Sequence, residues 1–168
     1  MKRKVIDLIE SKKLRSFVSV SPQHTVQYTL EILSKYKLSA IMVIQGQHLK
    51  GIFSYKDLAK ALLQYNFSLS APVEYYMTTK IYYALSHFTL EECLQIMTKA
   101  HVRHLPVIQG HQPISLISMR HIMEILVKDK DDQIRDLTNY ITGGSSNSEI
   151  LFQNKEASYL PVLNSTSN

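Results

Sequence analysis

The chain has 168 residues, 45% of them hydrophobic and 20% charged, and a formal net charge of +5. That length suits one domain or two small ones with a proper core, and the composition is that of an ordinary globular protein. No apolar run approaches the roughly 18 residues of a membrane span, and a single cysteine excludes an internal disulfide framework.

The N-terminus is basic. Lys2, Arg3, Lys4, Lys12, Lys13 and Arg15 face only Asp7 and Glu10. Acids interrupt the apolar residues Val5, Ile6, Leu8 and Ile9, so the segment does not read as a secretory signal. Residues 1–17 are expected to form a solvated, partly helical arm. Such an arm can meet nucleic acid or an anionic surface. However, the chain has no groove-reading motif, zinc-finger spacing or aromatic RNA-binding signature.

Residues 18–66 read as one unit. A short β segment at 17–20 precedes a helix with apolar positions Val26, Leu30 and Leu33. A buried strand at 41–44 follows, then a Gln45-Gly46 turn and a second strand at 49–53. The last helix carries Leu58, Ala61 and Leu62. Ser54 is placed to cap it, with Asp57 three residues on as in a capping box. Free N–H groups at a helix N-terminus favour phosphate. A carboxylate beside them can accept hydrogen bonds from both hydroxyls of a ribose. The same residues also fit a capped helix and nothing more.

After a connector at 67–76, the pattern returns in residues 77–128. With Thr25 aligned on Thr89, an offset of 64 residues, Val43-Ile44-Gln45-Gly46 meets Val107-Ile108-Gln109-Gly110, and Ser54 meets Ser118. Ten of the 45 positions from Val18 to Leu62 are identical to their counterparts, without a gap. The second helix carries Leu90, Cys93, Leu94 and Met97, which makes Cys93 a small core residue rather than a nucleophile. One unit of this size cannot close a core alone, so the two should pack on each other. A closing helix at 129–144 carries Ile134, Leu137 and Ile141 on one face and stops at Gly143-Gly144. The Ser/Asn-rich tail, 145–168, is expected to be mobile, with Tyr159 to Leu163 its one docking segment.

Together, these features closely resemble the cystathionine-β-synthase (CBS) domain pair, or Bateman module. The matching residues are Val18-Ser19-Val20-Ser21-Pro22, Gly51-Ile52-Phe53-Ser54-Tyr55-Lys56-Asp57, Met77-Thr78 and Arg103-His104-Leu105-Pro106-Val107. Residues 132–144 look like the closing helix of small stand-alone bacterial members. The resemblance implies an α+β fold of two β-α-β-β-α units about a pseudo-twofold axis, plus a C-terminal helix. It also implies a homodimer that signals to an effector protein and performs no catalysis, and the lone cysteine fits a reducing cytoplasm. AMP, ADP or ATP would serve as regulatory ligand in a cleft between the units, with no cofactor required.

Carried over residue by residue, the resemblance assigns Ser54 and Asp57 to phosphate and ribose, with Lys56 a phosphate neighbour or a solvated lysine. Ser19, Val20 and Ile41 would wall a slot for the base or simply be core. Arg103, whose charge is permanent, would reach a phosphate. His104 would do the same or be a partly buried, hydrogen-bonded histidine. His101 and His104 have a metal-ligand spacing for a helix, but nothing completes a set, so no metal is expected. The second copy departs from the motif, with Ser115 for glycine and His121 for aspartate. Its cleft is expected to be empty, weak or open to a different ligand, and the Asp57 side to bind more tightly. A ligand-free interaction module and a nucleic-acid binder acting through the basic arm are the alternatives.

Overall fold

The computed structural model describes residues 3–12, 14 and 16–141. Of these, the residues up to Val127 belong to one compact unit, and those from Lys128 on do not. Within that unit, the elements are α1 (Val5–Ser11), β1 (Ser19–Val20), α2 (Val26–Lys35), β2 (Ala40–Gln45), β3 (His48–Ser54) and α3 (Tyr55–Ala61). A 3₁₀ turn (Val73–Tyr75) leads to β4 (Ala84–Leu85), α4 (Leu90–Ala100), β5 (His104–Gln109), β6 (Gln112–Ser118) and the start of α5 (Met119–Ile141).

The expected β-α-β-β-α repeat is present. Each copy makes a three-stranded sheet, β1-β2-β3 and β4-β5-β6, with the first pair parallel and the second antiparallel. The registers match at the 64-residue offset. Val43 faces Gly51 and Val107 faces Ser115, and both ladders are irregular at the next step. Gly46 and Gly110, at φ 61° and 62°, make the two tight turns in a backbone region that side chains resist. Lys37 and His101 both adopt φ 52° at the ends of α2 and α4, so even the strained helix exits repeat.

Two cores result. The first joins Val20, Val26, Leu33, Ile41, Val43 and Phe53. The second joins Leu90, Cys93, Met97, Leu105, Ile117 and Ile122. Cys93 is buried as expected, and desolvation pushes its thiol up to about 12. The connector is pinned: Val26 N donates to Ala71 O at 3.0 Å, and Phe67 packs edge-on against Tyr76.

The N-terminal segment departs from expectation. Val5, Leu8 and Ile9 are fully buried in the second core. Val5 N donates to Phe88 O at 2.8 Å, and Leu90 N to Arg3 O at 3.1 Å. The segment is therefore a docked helix rather than a solvated arm. Three apolar residues on one face outweigh the neighbouring charges, which stay at the surface, where Lys12 pairs with Glu124 at 2.8 Å. Lys2, Lys13 and Arg15 lie outside the described residues.

The last helix of the second copy and the expected closing helix form one continuous helix, α5, of 23 residues. In its part beyond Val127, Ile134, Leu137 and Ile141 are exposed. Gly143-Gly144, the tail and its Tyr159–Leu163 segment lie outside the described residues.

Candidate functional site

The clefts follow from where the chain enters each copy. Thr78 pairs with Ile52 of β3, with N–H···O distances of 2.9 and 3.0 Å, so the entry to copy two runs along the sheet of copy one. The reciprocal contact is made by Ser115 of β6, whose hydroxyl donates to Leu14 O at 2.8 Å. Each copy's entry segment thus lies on the other's sheet, as a twofold relation requires. Each cleft is built from both copies.

On the Asp57 side the carboxylate is enclosed by protein groups. Asp57 is only 7% exposed. Its Oδ2 accepts from the Ser54 amide at 2.9 Å and the Ser54 hydroxyl at 2.6 Å, and its Oδ1 accepts from the Thr78 hydroxyl at 2.7 Å. The predicted capping box forms, and Thr78 takes the remaining oxygen. Met77 lies on Gly51 so closely that a Cβ there would come within 2.8 Å of the Met77 Cγ. Gly51 is needed for that approach.

The cavities lie on the other side. One of about 320 Å³ is lined by Phe17, Val18, Ser39, Ala40, Ser118 and His121, among others. A second, of about 500 Å³, shares Lys37, Leu38, Ser39, His104, Ser118 and Arg120 with it and adds Tyr55 and Arg103. Among the described residues no carboxylate lines either cavity, while Lys37, Arg103 and Arg120 line one or both. Apolar walls with a few convergent polar groups are what a small-molecule site requires.

Two histidines set the polar character. His104 Nε2 lies 2.9 Å from the Ser39 hydroxyl. Burial, with Arg103 and His121 nearby, holds the His104 pKa down to about 4, so its ring is neutral at pH 7. At the start of α5, the Ser118 amide donates to His121 Nδ1 at 3.3 Å, and the His121 amide donates to the Ser118 hydroxyl at 3.3 Å. This is the Ser54–Asp57 capping box rebuilt with an imidazole acceptor. Burial, the largest cause, lowers the His121 pKa below its ordinary value.

Of the residues expected at the site, Arg103 and His104 line these cavities. Ser54, Lys56, Asp57, Ser19, Val20 and Ile41 line neither. Val20 and Ile41 are core residues packed with Leu33 and Phe53, the second of the two readings open for them. Ser19 and Lys56 are exposed. The walls come instead from the residues just before each strand, Phe17 and Val18 before β1 and Leu38 and Ala40 around the start of β2. The repeat offset could have signalled the exchange, since position 14 is the counterpart of Thr78. His101 closes α4 and His104 opens β5, so their spacing is not helical. Among the described residues, no three His, Cys, Asp or Glu cluster as a metal site.

Two β-α-β-β-α units with exchanged entry segments and a shared cleft define a tandem-repeat module. The CBS domain family model matches residues 7–64 and 73–128, and the chain belongs to that family. It is 24% identical over 101 residues to the CBS domain-containing protein YhcV of Bacillus subtilis (strain 168), covering 60% of this chain and 72% of that protein. The structure of the CBS-domain containing protein ATU1752 from Agrobacterium tumefaciens aligns with a TM-score of 0.69 at 28% identity, covering 73% of this chain and 98% of that one. The complex of CBSX2 with AMP aligns with a TM-score of 0.63 at 20% identity, covering 76% and 98%. Among the described residues no helix is long and apolar enough to cross a membrane.

Proposed function

We propose that this chain is a regulatory module that binds an adenine nucleotide in the Ser118–His121 cleft and relays its occupancy to a partner protein. The observation that carries the reading is the pair of adjoining cavities, walled by Phe17, Val18, Leu38 and Ala40 and lined by Arg103, Arg120 and Lys37, with no carboxylate among the described lining residues. Apolar walls suit a base, and fixed cations suit a phosphate. The solved CBS pair with AMP, CBSX2, supports the ligand class. This reading moves the ligand away from Asp57, whose oxygens are already hydrogen-bonded within the protein. Helix α1, docked in the second core, is not the free arm on which the nucleic-acid alternative rests.

The module is further read as a homodimer. Leu62 and Leu63 after α3, and Met123 and Val127 on α5, are exposed apolar residues, with Leu63 and Val127 at matching positions of the repeat. Pairing would cover them.

The test is a thermal-shift and calorimetry series with AMP, ADP and ATP. A ligand at 100 times its dissociation constant adds about 2.7 kcal/mol of stability. Arg103→Ala should weaken the binding about tenfold or more, as loss of a charge-assisted contact does. Asp57→Asn should leave it nearly unchanged. Absence of a shift with all three nucleotides would sink the reading in favour of a ligand-free interaction module, and loss of binding in Asp57→Asn alone would return the ligand to the other cleft.

A further inference from the structure

We propose that the Ser118–His121 cleft recognises its ligand by phosphate and has no grip on a ribose diol, so that it accepts 2′-deoxynucleotides and ribose-phosphorylated nucleotides as well as ordinary ones. This rests on the nucleotide reading above and concerns the chemistry at one position. Where α3 has Asp57, α5 has His121. The His121 ring lines the smaller cavity, and its Nδ1 is held by the Ser118 amide at 3.3 Å. An Nδ1 that accepts leaves Nε2 as the nitrogen bearing hydrogen in the neutral ring. The position therefore offers a donor where a carboxylate would offer two acceptors.

A ribose diol presents two hydroxyls that a carboxylate can accept together. A single N–H can reach only one hydroxyl oxygen, which water does as well. A phosphate oxygen is different, because it can accept from the Nε2–H and from the guanidinium of Arg120, which a ligand would draw from its loose 3.8 Å pair with Glu124. Lys37 and Arg103 add positive charge around the adjoining cavities, and among the described residues no carboxylate is part of the lining, although Glu124 acts on His121 and Arg120 from one turn further along α5. The lining thus favours negative charge at either end of the ligand.

The test is calorimetry on the full chain with three probes: ADP, 2′-deoxy-ADP and adenosine 3′,5′-bisphosphate. The expected result is that both analogues bind within about fivefold of ADP or more tightly. Either analogue binding more than about fivefold more weakly than ADP overturns the inference and leaves the nucleotide reading standing. Failure of all three to bind overturns both. His121→Asp supplies the acceptor already used by the Ser54–Asp57 cap, so the helix start should survive the change. It should prefer ADP to 2′-deoxy-ADP by about tenfold or more, the scale of a charge-assisted hydrogen bond, and reject the bisphosphate. A folded His121→Asp that stays indifferent to the 2′-hydroxyl also overturns the inference. If that variant does not fold, the three probes on the unaltered chain still decide.

Discussion

The carboxylate of Asp57 and the hydroxyl of Thr78 meet at 2.7 Å, joining the helix cap of one CBS unit to the entry segment of the other. Ser54 supplies the remaining donors, so both oxygens of a carboxylate that is only 7% exposed are hydrogen-bonded within the protein. Thr78→Val keeps the shape and removes the donor. It should lower unfolding stability by about 1–3 kcal/mol, the usual cost of leaving a buried acceptor unpaired. Urea titration measures this, and an unchanged midpoint would mean that water replaces the hydroxyl.

Gly51 and Met77 should be coupled. A Cβ at position 51 would press on the Met77 side chain and approach the Thr78 carbonyl to 3.1 Å. Gly51→Ala should therefore cost about 1–3 kcal/mol, as overpacking does. Met77→Ala removes the side-chain part of the clash, so the double variant should be more stable than the sum of the two losses. A double-mutant cycle reads the interaction directly, and strict additivity would contradict the close approach.

Helix α1 should contribute to stability as a core element. Leu8 is 1% exposed among Leu90, Cys93 and Met97. Leu8→Ala should cost about 2–5 kcal/mol, the range for a buried leucine. A solvated arm would lose less than about 0.5 kcal/mol.

His104 should make the fold sensitive to acid. Its folded pKa is lowered from 6.5 to about 4, so between those values the unfolded chain holds more protons. Stability from this group is complete above about pH 6.5 and is lost as pH falls toward about 4. The loss between about pH 7.5 and pH 5 should be about 2 kcal/mol, and His121, shifted in the same direction, adds to it. His104→Gln should reduce that loss by about the same amount in unfolding curves at the two pH values. An unchanged pH difference would show that the ring is not buried neutral.

The sequence by itself determined the repeat, the order of elements and the two helix caps. These are local matters. The apolar period of α2 and α4, the glycine turns at 46 and 110, and the Ser54–Asp57 spacing act within a few residues, so one chain read in order reveals them. Only the tertiary structure decided which pieces face one another. The entry segments cross over, placing Thr78 on Asp57 and Leu14 on Ser115, so the described cavities lie beside His121. Val20 and Ile41, for which the sequence left a site wall and a plain core role both open, pack with Phe53 and Leu33 in the first core. Helix α1 went to the second core although it precedes the first copy, because burying Val5, Leu8 and Ile9 depends on where an apolar face is available, not on position along the chain.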